Sequence, residues 1–233
     1  MDAAEVSKLA TLEDRHWWYR ERRWLLAREL QRIGGTGVAV DIGAAGGGNT
    51  RVLREHGWSE IVVEYGDEGA RTAMERGLRT VRGDGTALPM KAGSVDLVVA
   101  FDVLEHIEDD HAAAAEIARI LRPGGTLLVA VPCDMALWSA HDEAVGHVRR
   151  YDRDGLRDLI AATGMEVEDL RSWNVLLRPV VRVRRRGSTE SDLSELNPVV
   201  NAGLTTIIRA ERLLPVGGRK GVSLLLRARR VPT

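Results

Sequence analysis

VAVDIGAAGGGNT, residues 38–50, decides the fold. An apolar run carries Asp41, four glycines follow between positions 43 and 48, and a helix-compatible segment continues to about Glu55. Glycines there let the backbone turn through positive φ and pass close to a ligand. Outward from this unit the same alternation repeats. EIVVEY (60–65) reads as a second strand with a helix over 68–76, and LRTVRGD (78–84) as a short third strand. SVDLVVAF (94–101) reads as a fourth with a helix over 110–121, and GGTLLVAVP (124–132) as a fifth. Strands that lack polar alternation and are separated by helices require a parallel sheet covered on both faces. Upstream, Trp17 to Gln31 reads as a helix stopped by GGTG at 34–37.

The second half breaks this rhythm. A helix is expected over 152–162, and strands at MEVEDLRSW (165–173) and VSLLLRARR (222–230). Between those strands lie residues 174–220: an Arg-rich stretch NVLLRPVVRVRRR, a polar turn GSTESDLSELNP, and a helical VVNAGLTTIIRAERLLP. The first stretch suits a strand or a helix, and Pro179 permits a helix only by starting it. The expected division is a helical cap (1–35), a Rossmann-like core (36–173), a lid or dimerisation insertion (174–220), and a last strand with its tail (221–233).

The 233 residues are 44% hydrophobic and 29% charged, which excludes a stapled mini-domain, a disordered chain and a collagen-like repeat. A net charge of -1 leaves no global field for nucleic acid. The charge is uneven, however: from Arg171 onward there are 13 basic and 4 acidic residues, against 20 and 30 before it. That asymmetry suits either a solvated Arg-rich surface or a site for an anionic substrate or membrane surface. Cys133 is the only cysteine, which precludes an intrachain disulfide and fits a reducing cytosol. No signal core opens the chain and no run approaches the roughly 20 apolar residues of a bilayer span, so a cytoplasmic protein without transmembrane contact is expected.

The glycine turn also discriminates between cofactors. A dinucleotide needs helix amides facing a pyrophosphate, which Asp41 just before the turn would repel. The same carboxylate suits a ligand with an ammonium and a sulfonium, and Glu64 at the end of the next strand suits ribose hydroxyls. S-adenosylmethionine has both features.

These residues, together with Gly83-Asp84, AFDVLEHIED (100–109) and LRPGGTLLVAVP (121–132), resemble the motifs of class I S-adenosylmethionine-dependent methyltransferases, type 11 family, in order over about 36–132. The resemblance implies an α/β, doubly wound, seven-stranded, mostly parallel sheet of order 3-2-1-4-5-7-6 with strand 7 antiparallel. It also implies a cofactor held by Asp41, Gly43, Ala45, Gly47, Glu64, Tyr65, Asp84, Gly85, Phe101 and His106. Ala45 stands where the family usually has glycine; its methyl should either shift the cofactor or demand a negative φ.

On the acceptor side, His106, His141 and His147 are the candidate proton acceptors, with His141-Asp142 as an oriented pair. Arg149, Arg150 and Tyr151 could recognise an anionic or aromatic acceptor, although pairing with Asp142, Glu143 or Asp152 is the blander role. In the cluster His16-Trp17-Trp18-Tyr19-Arg20, Trp17 is assigned with Trp24 to the core, and Trp18, Tyr19 and Arg20 to the site. The histidines are too scattered to suggest a metal, and Glu108-Asp109-Asp110 reads as a helix start. The leading expectation is methyl transfer to a small organic acceptor, with a homodimer left open. RNA or protein methylation, a non-catalytic binding protein and a nicotinamide oxidoreductase are the alternatives.

Overall fold

The computed structural model describes residues 12–185 and 196–232. Among them, β1 (Val38–Ile42), β2 (Ser59–Glu64), β3 (Thr80–Arg82), β4 (Val95–Phe101), β5 (Leu121–Pro132), β6 (Met165–Trp173) and β7 (Ser223–Arg230) form one sheet of order 3-2-1-4-5-7-6. Pairing is parallel except where β7 runs antiparallel between β5 and β6. This is the topology expected from the sequence.

Period-2 alternation explains why both faces are covered. In β4, Leu97, Val99 and Phe101 face one apolar layer while Val98 and Ala100 face the other. The second layer is filled by α4 (Asp110–Ile120) and α6 (Arg153–Ala161), through Ala113, Ile117, Leu156 and Ile160. Asp109 and Asp152 cap these helices by accepting from the amides of Ala112 and Gly155. The acidic run 108–110 is thus a helix start, as read.

The first layer holds α1 (Trp17–Ile33) and α2 (Gly48–Glu55), while α3 (Asp67–Glu75) connects β2 to β3. The insertion adds α7 (Arg178–Arg185) and α8 (Pro198–Glu211), after the short α5 (Ala140–Ala144). Pro179 stands at the start of α7, where its missing N–H costs nothing, so the helical alternative holds. α8 locks onto α1. Asn201 Oδ1 accepts from Trp17 N at 2.9 Å, Arg212 grips Glu21, and the Arg212 guanidinium lies 3.6 Å from the Trp24 ring centre. Most of the polar turn 187–198 lies outside the described residues.

The charge asymmetry resolves in part into internal pairs. Glu29 on α1, 1% exposed, receives Arg171 of β6 and Arg227 of β7; Glu168 receives Arg227 and Arg229; Asp134 receives Arg178. The basic second half therefore ties itself to the acidic first half. Among the described residues no helix is long and apolar enough to cross a membrane.

Candidate functional site

The strand order reverses between β1 and β4, and the crevice beyond their carboxyl ends is where such sheets bind ligands. The turn after β1 enters it through three left-handed residues, Gly43 (φ 64), Ala45 (φ 46) and Gly47 (φ 77). Ala45 does not retreat to a negative φ; it accepts the strained region instead. Side chains are excluded at the glycines by close approach. A Cβ on Gly43 would lie 2.8 Å from Val103 Cγ2, and one on Gly47 2.2 Å from Leu78 Cδ1.

Two carboxylates support this turn. Glu64 Oε2 accepts the Ala45 N–H at 2.9 Å, which places its carboxylate beside the glycines. Asp41, 1% exposed, lies beneath them and accepts the Thr50 hydroxyl at 2.5 Å. Burial pushes the Asp41 carboxyl up to about 7, with Glu64 adding to the rise and Thr50 and Arg22 opposing it.

Above the turn lies a cavity of about 290 Å³. Gly43, Ala44, Ala45, Gly48 and Asn49 form one wall, and Phe101, Asp102, Glu105 and His106 from the end of β4 another. Trp17, Trp18, Tyr19 and Arg22 of α1 close it, and Leu177, Val180, Val181, Leu196 and Leu204 add an apolar side from the insertion. Trp18 packs on Trp173 with ring centres 4.3 Å apart.

Several buried polar groups in this cavity lack hydrogen-bond partners among the described residues. Arg22, 5% exposed, pairs with Asp102 through Nη1, but its Nε and Nη2 are unsatisfied. Both oxygens of Glu105 and both amide atoms of Asn174 are unsatisfied, and each residue is fully buried. Orphaned groups of this kind cost about 1–3 kcal/mol each, so their convergence on one cavity marks a polar ligand's place. Burial lowers the Arg22 guanidinium to about 10, and Glu105, Tyr19 and Asp41 counter that shift.

The acceptor-side histidines come together. His147 Nδ1–H donates to Asp142 Oδ1 at 2.8 Å, and the same oxygen accepts Arg150 Nε at 2.7 Å. Asp142 therefore orients His147. His106 Nδ1–H donates to Gly146 O at 3.1 Å, and desolvation followed by His147 lowers its pKa to about 4. His141 lines the cavity edge-on to His147, ring centres 6.2 Å apart. Histidines scattered in the sequence are thus gathered in space.

Other expected site residues fall elsewhere. Arg20 is exposed and outside the cavity lining, because Trp18 and Arg22 share one helix face and residue 20 lies across it. Arg149 pairs with Asp110, and the Tyr151 hydroxyl donates to Asp110 at 2.7 Å, so both turn to a separate hollow beside α4 and α6. Of that trio only Arg150 reaches the cavity, already paired with Asp142. Tyr65 is 73% exposed, and Asp84 accepts from the Thr86 amide and hydroxyl; with Gly85 they lie outside the cavity lining, at or beyond the ends of β2 and β3, and Asp41, Gly47 and Glu64 stand behind the lining rather than in it. Trp17 is both core and cavity wall. Sequence reasoning missed Arg22, Asp102 and Asn174, and it passed over Glu105. The readable signal for Arg22 was its position one turn after Trp18.

Comparison with known proteins follows the same lines. The methyltransferase-domain family Methyltransf_11 matches residues 40–129. A probable S-adenosylmethionine-dependent methyltransferase of Mycolicibacterium smegmatis is 29% identical over 162 residues, 68% of this chain and 63% of that one. An uncharacterized methyltransferase of Mycobacterium bovis is 32% identical over 148 residues, 63% of this chain and 53% of that one. The chain thus spans roughly half to just under two thirds of the length of these relatives. Among solved structures, the complex of the Haloferax volcanii Trm112 methyltransferase activator with a methyltransferase superposes with TM-score 0.67 at 22% identity, covering 99% of this chain and 96% of that one. A geranyl diphosphate methyltransferase in complex with SAM gives 0.64 at 19% identity, covering 91% and 85%. At these identities the structures establish the fold. Residues 40–129 of this chain match the Methyltransf_11 family of methyltransferase domains, in the part of the sheet that carries the glycine turn.

Proposed function

We propose that this chain transfers a methyl group from S-adenosylmethionine to a small, largely apolar organic acceptor that carries an anionic group. The observation that carries the reading is one continuous cavity with two unlike ends. A glycine cradle with unpaired polar groups lies at one side, and an apolar wall from the insertion at the other.

The residues fit the cofactor. Gly43 and Gly48 bring bare backbone to the cavity wall, Glu64 has a second oxygen, not bonded to Ala45, to accept hydroxyls, and Arg22 has two N–H donors for a carboxylate. When bound, the cofactor supplies an activated methyl on a sulfonium. The chain's residues do the rest. Glu64 orients the nucleoside end, and Arg22 anchors the amino-acid end. Trp17, Trp18 and Tyr19 keep water out. His147, oriented by Asp142, accepts a proton at Nε2 when the acceptor must lose one.

The described parts of the insertion, 174–185 and 196–220, act as a lid. α7 and α8 contribute Val180, Val181 and Leu204 to the cavity, while Arg184 and Arg185, both already engaged within the protein and Arg185 lying 3.8 Å from Asp142, add positive charge to the wall that favours an acceptor's anion. Incubation with methyl-labelled cofactor tests this choice. Label is expected on amphipathic carboxylic or phosphoric acids in preference to their neutral counterparts. Label on RNA or protein alone would refute it.

A further inference from the structure

We infer that Glu105, His106 and His147 form a binding site for a divalent transition-metal ion, Zn²⁺ or Fe²⁺ in class, in the wall of the cavity. The inference rests on the methyl-transfer reading for its role but not for its geometry. One ligand atom from each residue lies within 4.8 Å of the other two, and His147 Nε2 is 3.9 Å from Glu105 Oε1. Ligands around such an ion stand about 3.4 Å apart, given bonds of about 2.1 Å, so a small rotation of the side chains closes the set.

Three features of the surroundings point to a cation. Glu105 is fully buried, and neither oxygen has a hydrogen-bond donor among the described residues. A carboxylate buried without donors either holds a proton, as burial drives Glu105 to do, or exchanges that proton for a cation that meets it. Arg22 is the nearby guanidinium, yet its ion pair is made with Asp102, and Arg150 is already paired with Asp142.

Second, both imidazoles are held in the tautomer a metal needs. The Gly146 carbonyl and the Asp142 carboxylate can only accept, so each ring carries its proton on Nδ1 and leaves the Nε2 lone pair available. A carboxylate behind a ligating histidine is the usual support of such a ligand. Third, the two rings meet edge-on with centres 4.8 Å apart, an arrangement that lets their nitrogens converge and that stacking would prevent.

Two imidazoles and one carboxylate suit Zn²⁺, Fe²⁺ or Mn²⁺ better than Mg²⁺ or Ca²⁺, which prefer oxygen alone. Three protein ligands leave an open position, and all three residues line the cavity. The inference therefore narrows the acceptor to one with a hydroxyl or enol oxygen that takes this position. Its O–H loses the proton to solvent. The oxygen then forms the new O–C bond while the sulfonium C–S bond breaks, its electron pair remaining on sulfur as a thioether. With metal bound, His147 is a ligand and the proton-acceptor role given to it above lapses.

The test uses the full chain, stripped with a chelator and titrated with Co²⁺, whose visible absorption reports its ligands; S-adenosylmethionine affinity is measured on the same samples. One equivalent is expected to bind with the bands of a nitrogen- and oxygen-ligated ion. Glu105→Gln and His147→Gln are each expected to weaken binding at least tenfold, while cofactor affinity changes by less than threefold. Zn²⁺ is expected to displace the cobalt. Wild-type protein that binds cofactor but shows no cobalt bands overturns the metal site and leaves His147 as the base. Binding that survives both substitutions also overturns it. Loss of cofactor binding in the wild type instead counts against the methyl-transfer reading.

Discussion

Arg22→Met separates a ligand-binding arginine from a structural one. Arg22 is 5% exposed, its guanidinium lies 5.1 Å from the Phe101 ring centre, and two of its nitrogens have no hydrogen-bond partner. If those donors receive the cofactor's carboxylate, their loss removes charge-assisted bonds worth about 1.5–3 kcal/mol. Affinity for S-adenosylmethionine should then fall by about 10- to 150-fold. Stability of the free protein should move the other way or stay level. Removing two unsatisfied buried donors relieves about 1–3 kcal/mol each, which offsets a loss of about 3 kcal/mol from breaking the pair with Asp102, since Asp102 is 36% exposed and rehydrates. Methionine fills much of the vacated apolar space beside Phe101. Calorimetric titration and urea unfolding of the two proteins provide the readouts. Unchanged cofactor affinity together with a large loss of stability would mean that Arg22 serves the fold alone.

Two further predictions concern the glycine turn. Ala45→Gly should stabilise the free protein by up to about 1 kcal/mol. A left-handed φ costs an L-residue roughly 1–2 kcal/mol, and glycine's extra chain entropy returns about 0.5–1 of it. The thermal midpoint should rise by about 2–4 °C, and a fall would show that the Ala45 methyl packs usefully. Asp41→Asn tests the buried carboxyl. Its folded pKa of about 7 lies above the unfolded value near 3.8, so the folded state holds the proton more tightly. That contribution is fully present below about pH 4 and is lost as pH rises toward 7, at up to about 1.4 kcal/mol per pH unit. Wild type should therefore lose urea resistance relative to the variant across that window; a pH-independent difference would contradict the burial argument.

The sheet was legible because each strand announces itself twice, as an apolar run and as one member of an alternation with helices. β6 and β7 were read to within a residue, since their aliphatic runs stand clear of the Arg-rich insertion. Pro179 settled α7 only in the structure, because a proline that begins a helix and one that interrupts a strand look alike in sequence. The glycine turn and Glu64 were legible as a local motif. Arg22, Glu105 and Asn174 were not, because what marks them is an unpaired polar atom in a closed cavity. That property belongs to the packing of α1, the end of β4 and the insertion, and to no single segment. Arg149 and Tyr151 misled for the opposite reason. Next to Arg150 in sequence, they face the other side of the chain, where Asp110 takes both.

Titration calorimetry of S-adenosylmethionine into the wild-type chain and into Glu64→Ala is the most direct measurement of the central claim. One site per chain is expected in the wild type. Loss of hydrogen bonds to a charged group worth about 1.5–3 kcal/mol should weaken the variant by tenfold or more while it remains folded. Absence of binding to the wild-type chain, equal affinity in both proteins, or preferential uptake of a nicotinamide dinucleotide would contradict the account.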